Sequence, residues 1–246
     1  MYEQEIERLQ EMIDESQNIV FFGGAGVSTE SGIPDFRSAD GIYHQSYRYT
    51  PEEVVSHSFF LKHPEAFYEF YRDKMIYPEA KPNPAHQKLA ELEQAGKLTA
   101  IVTQNIDGLH QAAGSRNVYE LHGSIHRNYC MDCHAFYDAD YIKHSDGVPH
   151  CKKCGGIIKP DVVLYEEGLD SATIQGAVSA ISRADMLIIG GTSLVVYPAA
   201  GFIDYFQGKY LVVINKSETA KSVRADLTIN APIGEVMGHI VVENID

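Results

Sequence analysis

The sequence predicts an α/β fold, a parallel sheet with helices on both faces and a smaller domain built from two insertions. Three observations carry the prediction. Short apolar runs at residues 18–22, 99–102, 185–189 and 210–214 alternate with segments whose apolar residues recur at helical spacing, as strands and helices alternate around a parallel sheet. The first run leads directly into a glycine-rich loop at residues 24–32. Two stretches, 36–77 and 129–159, break the alternation, the first crowded with aromatic residues and the second holding every cysteine.

Ile6, Leu9, Met12 and Ile13 fall at helical spacing among charged residues, which predicts an amphipathic helix lying against the sheet. The four runs are short and apolar throughout, as strands buried on both faces are. Residues 85–94 and the set Ile174, Val178 and Ile181 supply helices between them. The larger domain is accordingly assigned to residues 1–35, 78–128 and 160–246. The smaller takes the helical insertion 36–77, which returns through Pro78 and the rigid Lys81-Pro82-Asn83-Pro84, together with the cysteine insertion 129–159.

With 246 residues, 44% hydrophobic and 22% charged, the chain can bury a sizeable core. Its net charge of −14 repels phosphate backbones and favours approach of cationic, lysine-bearing partners, so nucleic acid is not an expected target. No run of 18 apolar residues occurs, and none of the chain is expected to span a membrane. Met1 is followed by Tyr2-Glu3-Gln4-Glu5 rather than the basic start and apolar stretch of a secretory signal, so a cytoplasmic location is expected.

Cys130-Met131-Asp132-Cys133 and Cys151-Lys152-Lys153-Cys154 form two C-x-x-C knuckles separated by 17 residues. That spacing folds four soft sulfurs around one tetrahedral zinc ion. Disulfides are the alternative, disfavoured in a cytoplasmic protein. Four thiolates close the coordination shell and leave no position for water or substrate, so the metal is expected to be structural. His126, His134, His144 and His150 lie nearby without being needed as ligands.

Glycines in the loop Gly24-Ala25-Gly26-Val27-Ser28-Thr29-Glu30-Ser31-Gly32 permit a tight turn and close approach of backbone N–H groups to a pyrophosphate. Thr29 stands where the dinucleotide fingerprint has its third glycine, and no second strand ending in an acidic residue follows about 20 residues on. An ordinary hydride-transferring dehydrogenase is therefore disfavoured. Directly downstream, Ile33-Pro34-Asp35-Phe36-Arg37-Ser38 places an acid, an aromatic and an arginine where they can cover a bound nucleotide. Thr103-Gln104-Asn105-Ile106-Asp107, Gly190-Gly191-Thr192-Ser193 and Asn215-Lys216 put polar groups at the carboxyl ends of three more strands, where open α/β sheets bind ligands.

With these motifs the chain resembles the sirtuin family of NAD-dependent protein-lysine deacylases. Residues 24–38 are similar to its GAG-x-S-…-GIPDFR signature, Thr103 to Asp107 to TQNID, Leu121-His122-Gly123 to its HG motif and Gly191-Thr192-Ser193 to GTS, in the same order, over about residues 5–242. The resemblance implies a Rossmann-like large domain, a structural zinc and NAD consumed as co-substrate. It implies NAD contacts from Gly24, Ala25, Gly26, Thr29, Asp35, Phe36, Arg37, Gln104 and Gly191, with Ile106 and Asp107 holding the carboxamide and Asn105 ordering the pocket as a catalytic residue. Thr192, Ser193 and Asn215 would reach phosphate and adenosine ribose, and Ile233 the adenine. His122 is implied as general base, its reference pKa of about 6.5 leaving it mostly neutral at pH 7. The acetyl-lysine oxygen attacks the ribose carbon bearing nicotinamide, His122 deprotonates the ribose, and water completes the release of lysine and O-acetyl-ADP-ribose.

By the same resemblance an acetylated-lysine peptide binds as an added strand near Val163, Tyr165 and Val195. One departure stands out. The family pattern P-x-V-V-x-F-G-E reads here Pro160-Asp161-Val162-Val163-Leu164-Tyr165-Glu166-Glu167, so Glu166 replaces a glycine, a carboxylate that would favour basic flanking residues. Family members that remove succinyl groups share a Tyr-x-x-Arg pair; counting three from Tyr68 lands on Tyr71, with Arg72 one residue later. Arg72 is expected to face away from a tunnel that Tyr68 faces, which leaves acetyl or another uncharged acyl group as substrate. A mono-ADP-ribosyltransferase activity, in which a protein nucleophile captures the same ribose centre, stays open. A non-enzymatic NAD sensor would have no use for His122, Asn105 or Asp107.

Overall fold

The computed structural model describes residues 2–35, 49–217 and 224–242. The apolar runs form the middle of a six-stranded sheet: β1 (Ile19–Gly23), β2 (Leu98–Thr103), β7 (Met186–Gly190) and β8 (Tyr210–Ile214), flanked by the short strands β3 (Val118–Glu120) and β9 (Leu227–Ile229). The order is β3-β2-β1-β7-β8-β9 with every pair parallel. Numbered within this sheet alone, that is the 3-2-1-4-5-6 order of dinucleotide-binding folds, whose crevice opens where the order reverses. Here the reversal lies between β1 and β7. Among the described residues the second strand of this sheet comes only at Leu98, after α2, α3, α4 and α5.

Side-chain alternation along the strands divides the core into two layers. Ile19 and Phe21 pack with Leu9, Met12 and Leu89 under α1 (Glu3–Glu15), α5 (Pro84–Gln94) and α9 (Ile233–Gly238). Val20 and Phe22 pack with Ala177, Ile181 and Phe202 under α8 (Ser171–Arg183) and the 3₁₀ turn Ala199–Tyr205. Side chains set the helix starts. Asp170 accepts from Thr173 N–H at the start of α8, and Asn83 accepts from Ala85 N–H ahead of Pro84 in α5, satisfying first-turn donors that have no partner within the helix.

The remaining elements are α2 (Pro51–Val54), α3 (His57–Lys62), α4 (Pro64–Lys74), α6 (Leu109–Ala112), α7 (Ala139–His144) and an antiparallel sheet ordered β5-β4-β6. Its strands are β4 (Gly123–Cys130), β5 (Phe136–Tyr137) and β6 (Ile158–Val162). Aromatic residues of α3 and α4, among them Phe60, Phe67, Tyr68 and Phe70, share one buried core with Cys130, Ile142, Cys151 and Ile158. The two insertions thus pack on each other. β4 and β6 reach into the segments on either side of the cysteine insertion, pairing Gly123 with Val162, and so link the two sheets. Gly123 has φ +76, and a Cβ there would lie 1.9 Å from the Asp161 carbonyl oxygen; only glycine permits that approach right after His122.

Candidate active site

A cavity of about 990 Å3 lies between the two sheets, at the carboxyl ends of β1, β2, β7 and β8. It sits at the upper end of the roughly 300–1,000 Å3 range of small-molecule sites and at the topological switch point. Of the sequence-predicted positions, the glycine-loop residues, Asp35, the 104–107 group, His122, Gly191 to Ser193, Asn215, Ile233, Val163 and Tyr165 line it. Val195 is exposed and stands outside the lining. Phe36 and Arg37 lie outside the described residues.

The glycines hold two strand-end loops against each other. Gly26 N–H donates to Gly191 O at 2.7 Å, and a Cβ on Gly26 would come within 2.8 Å of Gly191 Cα. Gly191 has φ +59, and its own Cβ would lie 2.3 Å from Val27 N. Gly24 would meet Thr192 Cβ at 2.8 Å. This cradle of backbone closes the pocket floor at the switch point and suits an approaching pyrophosphate.

On the β2 side three polar residues form a chain. Asn105 Nδ2 donates to Ser28 Oγ at 3.1 Å, and Ser28 Oγ–H donates to Asp107 Oδ2 at 2.6 Å, while Asp107 Oδ1 accepts from Leu109 N–H at 2.9 Å. Burial raises the Asp107 carboxyl above its ordinary range, and the hydrogen bonds from Ser28 and Leu109 act against that rise. Ser28 is fully buried and belongs to this site; the sequence reading has it as the serine of the GAG-x-S motif, without a role assigned. Gln104 Nε2 donates to Thr192 Oγ1 at 3.0 Å, joining β2 to β7. Asn215 uses its amide on Thr192, accepting from Thr192 N–H at 2.9 Å and donating to Thr192 O at 3.0 Å. Ile233 is buried at the start of α9 and packs near Gly190.

His122 stands at the junction of β3 and β4. Its Nδ1 is 3.0 Å from the Gln104 carbonyl oxygen, which can only accept, so Nδ1 carries the proton and the neutral ring leaves Nε2 with a lone pair. Burial lowers its pKa below the usual histidine value, against the opposing effect of the Gln104 hydrogen bond. A half-buried, oriented, neutral imidazole in a cavity is equipped to take a proton.

The four cysteine Sγ atoms lie within 4.8 Å of one another, with Cys130 and Cys154 at 3.3 Å and Cys133 and Cys151 at 3.5 Å. Sulfurs on a tetrahedral zinc at about 2.3 Å are about 3.8 Å apart, so the donor set fits the ion. The knuckles match in backbone: His134 N–H donates to Cys130 O and Gly155 N–H to Cys151 O, and both residues have positive φ, 57 and 81 degrees. None of the four nearby histidines joins this group.

Helix α4 departs from expectation. Tyr68 does not line the cavity; its hydroxyl donates to Ile158 O, and Tyr71 is the residue that faces the cavity, its hydroxyl buried without a partner among the described residues. Arg72 does point away from the cavity, donating to Ile142 O at 2.9 Å and to Gly147 O, but it lies over the Tyr68 ring at 5.4 Å. Residues four apart share a helix face, so Tyr68 and Arg72 turn together toward the cysteine module. Lys74 lines the cavity and pairs with Asp73 at 2.8 Å.

A model of the Sir2 family matches residues 24–198. The NAD-dependent protein deacetylase of Clostridium perfringens is 65% identical over 96% of this chain and 98% of its own, that of Clostridium acetobutylicum 62% over the same shares, and that of Cutibacterium acnes 50% over 95% and 96%. Among solved structures, a Sir2 complex with a deacetylated p53 peptide and 3'-O-acetyl-ADP-ribose superposes with a TM-score of 0.87 at 40% identity, covering 94% of this chain and 95% of the other. A Sir2 complex with a p53 peptide and NAD+ superposes at 0.83 with 41% identity over the same shares. The fold agrees with these solved structures, and the chain belongs to the Sir2 family.

Proposed function

We propose that the protein is an NAD-dependent protein-lysine deacetylase that releases nicotinamide and O-acetyl-ADP-ribose. The observation that carries the reading is the half-buried neutral His122, held through Nδ1 by Gln104 with its other nitrogen available in the cavity. NAD, when bound, would supply an activated ribose carbon, which the acetyl-lysine oxygen attacks as nicotinamide leaves, and a ribose hydroxyl that takes over the acetyl group before water releases the lysine. The glycine cradle and Thr192 hold its phosphates. Asp107, steadied by Ser28 and Leu109, receives the carboxamide N–H groups, and Asn105 keeps Ser28 in place. His122 Nε2 takes the ribose hydroxyl proton as the acetyl group moves to the sugar. An acetylated lysine has lost its charge and enters the apolar part of the cavity without the cost of burying an ammonium.

Cys130, Cys133, Cys151 and Cys154 hold one zinc ion, which closes the knuckles and takes no part in the chemistry. Gly123 and Cys130 are the two ends of the eight-residue β4, seven steps apart, roughly 23 Å at about 3.3 Å per residue. No described helix is long and apolar enough to cross a membrane. A cytoplasmic location belongs to the proposal, supported by four unpaired thiols suited to metal rather than disulfides.

The test is mass spectrometry of the protein with NAD and an acetyl-lysine peptide. Equimolar nicotinamide, deacetylated peptide and O-acetyl-ADP-ribose are expected. Nicotinamide release with ADP-ribose on a protein side chain, and peptide still acetylated, would instead establish a mono-ADP-ribosyltransferase.

A further inference from the structure

The loop after β6 is fastened to the helical insertion at three successive residues. Tyr165 donates its N–H to Val55 O and accepts at its carbonyl from His57 N–H, both at 3.0 Å, forming a parallel bridge opposite Ser56. Glu167 accepts from His57 Nδ1–H at 2.7 Å, Leu164 N–H at 2.9 Å and Lys159 Nζ at 3.1 Å. Between them, Glu166 accepts from Ser58 N–H at 2.8 Å through Oε2 and from the Ser58 hydroxyl at 2.9 Å through Oε1.

Glu166 has φ +77, in the left-handed region where a Cβ is disfavoured and glycine is the usual occupant. It is also the position at which the family pattern carries glycine. A glycine would suit the backbone better and would forgo the carboxylate, yet this chain keeps the carboxylate. Ser58 is the second residue of α3, where an amide has no partner within the helix, so Glu166 caps that helix from another element. Both of its oxygens are directed at Ser58, so this carboxylate has a partner within the fold besides the basic flanking residues it was expected to favour.

We propose that Glu166 is a positioning residue for the substrate peptide: by capping α3 at Ser58 it fixes residues 163–165 in the geometry that receives the peptide backbone, without selecting peptides by charge. The proposal rests on the reading that the peptide lies along this loop. The test compares the intact protein with its Glu166→Gly and Glu166→Gln variants. It measures kcat and KM at saturating NAD for two acetyl-lysine peptides, one with neutral and one with arginine flanks, alongside hydrogen exchange of residues 163–167. Glu166→Gly is expected to raise KM about tenfold for both peptides alike, the lower end of the scale of losing hydrogen bonds to a charged group, with kcat little changed and exchange faster. Glu166→Gln still accepts from Ser58 N–H and is expected to restore KM. A preference for the arginine-flanked peptide that disappears in both variants overturns the proposal, because Glu166 then acts by charge. Unchanged exchange in Glu166→Gly overturns the cap itself. Faster exchange with unchanged KM means that the loop is held but the peptide does not use it, and the positioning role fails together with the peptide reading.

Discussion

At the scale of single residues, His122 combines burial with one fixed hydrogen bond, and both consequences are measurable. Because burial lowers its pKa, the ring stays neutral, and competent as a base, to a lower pH than a free histidine would. The acidic limb of kcat/KM for the peptide is therefore expected to bend below about pH 6.5, the unperturbed histidine value. A limb centred above 6.5 would show that His122 is protonated when free or that another group sets the rate. His122→Ala is expected to reduce kcat/KM by roughly 10²–10⁴-fold, the contribution of a positioned base, with circular dichroism and zinc content unchanged. The sequence reading reached His122, Asn105 and Asp107 because each sits in a short motif at a strand end. Ser28 was legible as the serine of GAG-x-S but its role was not, since its links to Asn105 and Asp107, 77 and 79 positions away, exist only once β1 and β2 are neighbours. The tie between Asn215 and Thr192 escaped for the same reason: Asn215 is legible as a polar strand end, but its side chain is turned to the backbone of the next loop.

At the scale of elements, the central strands were legible as apolar runs because both of their faces are covered. The edge strands β3 and β9 are three residues long and only partly buried, so they leave no run to read. Helix α4 shows the cost of counting without a register. Its Tyr68 and Arg72 share the face toward the cysteine module, and Tyr71 takes the cavity. The acyl preference still follows, because Arg72 is held by the carbonyls of Ile142 and Gly147 and Lys74 by Asp73. A succinyl carboxylate would enter without a free cation from Arg72 or Lys74 of α4, so kcat/KM is expected to favour an acetylated over a succinylated peptide by about tenfold or more. The reverse order would mean that Lys74 leaves Asp73 to meet the carboxylate beside the Tyr71 hydroxyl. In the cysteine module, Cys130 is buried in the core that the module shares with α3 and α4. Structural zinc supplies on the order of 10 kcal/mol of folding free energy in small modules. Cys130→Ser is expected to release the zinc and lower the melting temperature; a zinc-free variant that melts and turns over like the wild type would refute the structural assignment.

Across the whole molecule, stability should carry the mark of two buried histidines that the chemistry does not use. His86 on α5 and His110 on α6 have ring centroids 4.8 Å apart, and His110 also packs against Phe21 of β1 at 6.0 Å. His86 Nε2 and both ring nitrogens of His110 have no hydrogen-bond partner among the described residues. Burial lowers His86 to about 4, and burial together with the neighbouring His86 lowers His110 to about 3. The unfolded chain, with ordinary histidines near 6.5, therefore binds protons that the folded chain refuses. Their neutral burial is without penalty above about pH 6.5, and below it stability falls by up to about 1.4 kcal/mol per pH unit for each histidine until the folded groups protonate in turn. Carboxylates at their ordinary values begin to contribute only near pH 4.5 and below, and Asp107, raised by burial, titrates alike in wild type and histidine variants, so between pH 6.5 and 5 a difference between them isolates the histidine. His110→Leu removes one titrating group of the pair and leaves behind no polar partner to go unsatisfied. Against pH 7, the melting temperature of the zinc-loaded wild type at pH 5 is expected to drop clearly further than that of His110→Leu, while the two proteins melt at similar temperatures at pH 7. Parallel curves across that interval would show that His110 gains no protons on unfolding, and that acid acts on this fold through the zinc thiolates or the exposed carboxylates instead.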